Sequence, residues 1–92
     1  MRAVSTDPER GLPGEDPESP FLEDALHWVR VYEELLNLKH ELLKRAEEVL
    51  QSASPEAQAE GGADQALLRA QAARYDVRLE FWRQRAKDLS SP

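Results

Sequence analysis

From Phe21 to Leu50, apolar residues recur in pairs every seven positions: Phe21-Leu22, Trp28-Val29, Leu35-Leu36, Leu42-Leu43 and Val49-Leu50. Ala25, Leu26, Val31, Tyr32, Leu38 and Ala46 fall between the pairs. Residues three, four and seven apart share one side of a helix, so this spacing predicts an amphipathic helix. Ser19-Pro20 precedes the run. Serine suits a cap, and proline suits the first helical position, where its missing N–H is no loss. No glycine or proline follows until Ser54-Pro55. The pattern predicts a first helix over about 20–52, roughly 48 Å long at the helical rise per residue.

Farther along, Leu68, Ala72, Tyr75, Leu79, Trp82, Ala86 and Leu89 follow one another at intervals of 4-3-4-3-4-3. That is the seam of a helix packed along another helix. A second helix over about 64–89 is predicted, with Asp64 as its cap. Residues 53–63 hold Pro55 and Gly61-Gly62. They read as a joint, with at most a short helical turn from Pro55 to Glu60 that the glycines end. Neither strand-like alternation nor an internal repeat is visible. The fold class expected is all-α, an antiparallel helical hairpin.

The two helices differ in width. A two-stranded seam needs about two apolar positions per heptad, whereas the first helix offers three or four. Each large apolar side chain left in water forgoes roughly 1.5–3 kcal/mol, and a chain this small buries little surface to begin with. The sequence therefore asks for a further packing partner. A homodimer, forming a four-helix bundle from two hairpins, is the least elaborate solution; a different protein is the other. The candidate partner-binding anchors are Trp28, Val31, Leu35 and Leu38 on the first helix and Val77 and Phe81 on the second. For Val77 and Phe81, filling a bundle core is the favoured reading over binding a partner. Arg74 and Arg78 are the candidates for fixing register, since the second helix carries arginines that lack an acid at the favoured spacing on their own helix.

Composition sharpens this picture. The chain has 92 residues, a formal charge of −6 and no cysteine, which excludes a disulfide framework and a thiolate zinc site. Residues 1–19 contain Pro8, Pro13, Pro17, two glycines and five acids against Arg2 and Arg10. Such a stretch buries too little to offset its ordering entropy, so a disordered acidic, proline-rich tail is expected. It has no basic start followed by an apolar core, and no run in the chain reaches bilayer length. The expectation is a cytoplasmic protein with no membrane partner. Charge is uneven: residues 21–52 carry seven acids and four bases, residues 64–89 four acids and six bases. Arginines of the second helix are expected to reach acids of the first.

Candidate chemistry is sparse. His27 and His40 are the only histidines, and thirteen positions along a helix turn them about 220° apart. Asp24-Ala25-Leu26-His27 has the acid-x-x-His spacing of di-metal bundles, but Asn37-Leu38-Lys39-His40 lacks the acid. A metal-binding bundle is thus a remote alternative. The serines lie in the tail or at helix ends, where capping explains them, and Gly61-Gly62 is no phosphate cradle. Neither catalysis nor a cofactor is expected. Arg74, Arg78 and Arg85 lie along one side of the second helix, which keeps a nucleic-acid-associated regulator as an alternative, against the net negative charge. The leading expectation is a non-enzymatic helical interaction module that self-associates and serves a larger protein or complex as a regulatory adaptor.

Overall fold

A computed structural model describes residues 11–91. Two helices, α1 (Leu22–Leu50) and α2 (Pro55–Ser90), pack against each other as an all-α hairpin. The seam expected for α2 is the one it uses. Ala72, Tyr75, Leu79 and Trp82 are buried, and Leu68, Ala86 and Leu89 are half-buried along the same line. From α1, Ala25, Tyr32 and Leu36 complete the core, with Trp28, Val29 and Leu35 packed against it. Aromatic rings dominate the interior. Trp28 stacks on Trp82 at 6.4 Å between ring centroids, and Tyr32 meets Tyr75 at 5.9 Å.

The boundaries depart from the sequence reading in three places. The joint is short, residues 51–54, and α2 begins at Pro55 rather than near Asp64. Ser54-Pro55 is a start as well as a stop. The Ser54 hydroxyl accepts the N–H of Ala57 at 3.2 Å, and Pro55 occupies the first turn. The Gln58 amide closes the turn from the other side, donating to the carbonyls of Leu50 and Ala53 at 3.0 and 3.2 Å. It thereby ties the first turn of α2 to the last residue of α1 and to the joint.

Gly61-Gly62 accordingly lies inside a helix instead of ending one. Alanines at 57, 59, 63 and 66 supply the helix propensity that the glycines lack. Gly61 also has a packing reason, because a Cβ there would stand 2.5 Å from Leu50 Cδ2. Gly62 faces open space. Gly62→Ala is therefore expected to raise stability by up to about 1 kcal/mol in urea unfolding. Gly61→Ala is expected to gain less than Gly62→Ala, because Leu50 must move.

The second departure is at the start of α1, which begins at Leu22, two residues later than Ser19-Pro20 suggests. Phe21 takes the capping position with an extended backbone and no side-chain cap. Ser19 instead accepts the Phe21 N–H at 3.3 Å and donates its hydroxyl to Asp24.

The third is the N-terminal segment. Residues 11–19 are not a disordered tail but two consecutive turns packed on the hairpin; residues 1–10 lie outside the described part. Leu12-Pro13-Gly14-Glu15 closes with the Glu15 N–H on the Leu12 carbonyl at 3.2 Å, and Gly14 has φ +93°. Proline second and a positive-φ glycine third define a type II turn. Asp16-Pro17-Glu18-Ser19 closes likewise at 3.1 Å, with the Asp16 carboxylate accepting the Glu18 N–H at 3.0 Å. The backbone N–H groups of Leu12, Glu15, Glu18 and Ser19 are thereby paired as the segment docks.

Candidate interaction site

The docked segment is fastened through one side chain. Glu15 reaches between the helices, and its carboxylate accepts four hydrogen bonds. Oε1 takes the Arg78 guanidinium at 2.9 Å and the Trp82 indole N–H; Oε2 takes the Tyr32 hydroxyl and the Leu12 backbone N–H. The pair is buried, with the Arg78 and Glu15 side chains only 7% and 2% exposed. Arg78 also lies over the Phe81 ring, 4.6 Å from its centroid. Burial pushes the Glu15 carboxyl up, but the donors of Tyr32, Trp82, Arg78 and Leu12 outweigh it and leave the group below its ordinary 4.5. The Tyr32 phenol is pushed up to about 12, first by burial and then by its bond to, and the charge of, Glu15. Arg85 adds a second fastening, donating to the Ser19 carbonyl at 2.9 Å.

This arrangement corrects one expected role. Arg78 is not an exposed residue on the hairpin surface; it is buried beneath the N-terminal segment, where the Glu15 carboxylate binds its guanidinium. Among the described residues, the ion pair that joins α1 and α2 is Arg83 with Glu33, at 3.2 Å and largely exposed. A pair of that kind contributes about 0–1 kcal/mol at most. Arg74 sits half-buried over the Tyr75 ring, 5.0 Å from its centroid. It lies one turn from Arg78 on the same flank of α2.

The pairs on α1 divide between two faces. Their second members, Leu22, Val29, Leu36, Leu43 and Leu50, are half-buried or buried toward α2. Their first members, Phe21, Trp28, Leu35, Leu42 and Val49, are rotated about 100° away. With Val31 and Leu38 they form a second seam at intervals of 3-4-3-4-7, through Trp28, Val31, Leu35, Leu38, Leu42 and Val49. Its upper end is sheltered: Trp28 is half-buried on Trp82, with Gly14 beside its ring, and Val31 and Leu35 are half-buried. Its lower end is not. Leu38 is 53% exposed, Leu42 39% and Val49 71%. The expected anchors of α1 are thus brought onto one stripe. Leu42 and Val49 belong to it as well, and the seven-residue pairing was the signal that could have singled them out.

Val77 and Phe81 lie elsewhere. They border an open groove of about 640 Å³ on the outer side of α2, with Pro17 of the docked segment and Glu80, Gln84, Arg85 and Asp88. Their side chains are partly exposed and do not fill the core between α1 and α2. On the opposite side of the hairpin, Glu33, Asn37, His40, Asp76 and Arg83 line a polar cleft of about 510 Å³. Among the described residues, no group of three or more His, Cys, Asp or Glu side chains is placed to hold a metal. None of the helices in that part is long and apolar enough to cross a membrane. Of the arginine side considered for phosphate binding, Arg78 and Arg85 are engaged by the N-terminal segment.

Comparison with known proteins adds no relative: no family model, no curated protein and no solved structure matches the chain.

Proposed function

We propose that the chain is a non-enzymatic helical interaction module that self-associates by pairing its α1 stripe with a second copy. One observation carries the reading: Leu38, Leu42 and Val49 continue the seam of Trp28, Val31 and Leu35 into solvent at heptad spacing. Contiguous apolar stripes of this kind mark association surfaces. Charge favours a second copy as the occupant. Glu34, Glu41 and Glu48 flank the stripe at successive heptads, while α2 carries Arg74 one turn from Arg78, on the side where the N-terminal segment meets both Arg78 and Trp28 of the stripe. A two-fold pairing that sets α1 of one copy against α2 of the other brings acid to base twice, giving a four-helix bundle. The groove bordered by Val77 and Phe81 remains outside that pairing and is the surface by which the dimer would serve a larger protein as an adaptor.

Sedimentation equilibrium from low to high micromolar concentration tests the reading. The unaltered chain is expected at dimer mass. Leu38→Asp combined with Leu42→Asp is expected to give a monomer that keeps its helical circular dichroism, because both positions are exposed in the single hairpin. A monomer at every concentration of the unaltered chain would overturn self-association. A dimer that survives this double change but is lost with Val77→Asp and Phe81→Asp would move the interface to the outer groove of α2.

A further inference from the structure

The contact that holds Glu15 has the composition of a ligand site. Every hairpin group in it, the Arg78 guanidinium, the Trp82 indole N–H and the Tyr32 hydroxyl, comes from α1 or α2, and all three side chains are more than nine-tenths buried. The occupying segment supplies its own turn, its own backbone N–H from Leu12 and an apolar foot, Leu12, packed against the core. The covalent connection between the two parts runs through residues 16–20. None of the four hydrogen bonds on the carboxylate requires that connection. We infer that the cleft between α1 and α2 is a receptor for a peptide carboxylate, specific for a turn with leucine three residues before glutamate, and that the chain's own residues 12–15 occupy it in cis.

Planar, charge-assisted recognition explains the specificity. An arginine and two neutral donors converging on two oxygens favour a carboxylate over an amide, and the buried aromatic walls exclude competing water. The glycine at positive φ lets the turn lie flat beside Trp28. A tethered segment acts at an effective concentration of roughly millimolar, so an external peptide displaces it only at comparable concentration. Releasing the cis occupant therefore exposes a site for the same motif carried by another chain. The inference does not rest on self-association through the α1 stripe, which lies outside the cleft.

The test uses the full chain with Leu12→Ala and Glu15→Ala, and an end-blocked peptide of residues 11–20. Tryptophan fluorescence and the Trp82 indole resonance report occupancy. Saturable binding is expected below the concentration needed with the unaltered chain, and the peptide carrying Glu15→Gln is expected to bind roughly tenfold or more weakly. Absence of saturation up to several millimolar, or equal binding of the glutamine peptide, would overturn the inference. If the double variant loses helix, the glutamate peptide is expected to restore the helical signal by binding only the folded form. Failure to restore it would overturn the inference equally.

Discussion

Replacing Glu15 with alanine is expected to lower the unfolding free energy by roughly 3–5 kcal/mol, because it strips the carboxylate from a buried guanidinium. Tyr32, Trp82 and the Leu12 N–H lose their acceptor in the same step. Domains hold only about 0.05–0.15 kcal/mol per residue of net stability, so this one side chain outside both helices carries a large share. Urea unfolding followed by circular dichroism measures it; a loss under about 1 kcal/mol would mean that the segment contributes little to the hairpin. Glu15→Gln keeps the shape and is expected to lose less.

The same group is expected to contribute to the acid side of the pH response. The Glu15 carboxyl is lowered in the folded chain relative to its ordinary 4.5. Its contribution is therefore complete above that value and is lost as pH falls through the lower folded value. Tyr32 acts at the other end: its phenol is raised to about 12. The stability it lends is complete below the ordinary value of about 10 and disappears as pH rises through the folded value. In the Glu15→Gln variant the acid limb is expected to be flatter. An unchanged acid limb would place the sensitivity on other carboxylates.

Trp82→Ala is the second large effect. Trp82 is fully buried, stacks on Trp28, meets Phe81 edge-on at 5.1 Å and donates to Glu15. Removing it creates a cavity at the centre of the aromatic core and costs about 3–5 kcal/mol. It also withdraws one donor from the carboxylate, so the N-terminal segment is expected to loosen along with the hairpin. Limited proteolysis separates the two consequences: cleavage within residues 11–19 should accelerate more in this variant than in Leu68→Ala, which touches the same seam far from Glu15. Equal rates would uncouple the segment from Trp82.

By itself the sequence determined the two-helix class, the α2 seam from Leu68 to Leu89 and the excess width of α1. Those follow from periodicity, which is local and repeats over many residues. The position of the joint was open to a wrong choice, because Ser54-Pro55 and Gly61-Gly62 are both punctuation. The Gln58 bonds to the end of α1 and the close approach of Gly61 to Leu50 decided between them. The composition of residues 1–19 reads as a disordered tail, and nothing along the chain says that Pro13-Gly14 will turn and dock. That depended on Glu15 meeting Arg78, 63 positions away, with Tyr32 and Trp82 from two different helices. Glu15, Tyr32 and Arg78 share no period along the chain, and a buried polar cluster of this kind exists only once packing has brought its members within hydrogen-bonding distance. For the same reason Arg78, which looks from its spacing like an outward-facing cation, was assigned its place by the tertiary structure alone.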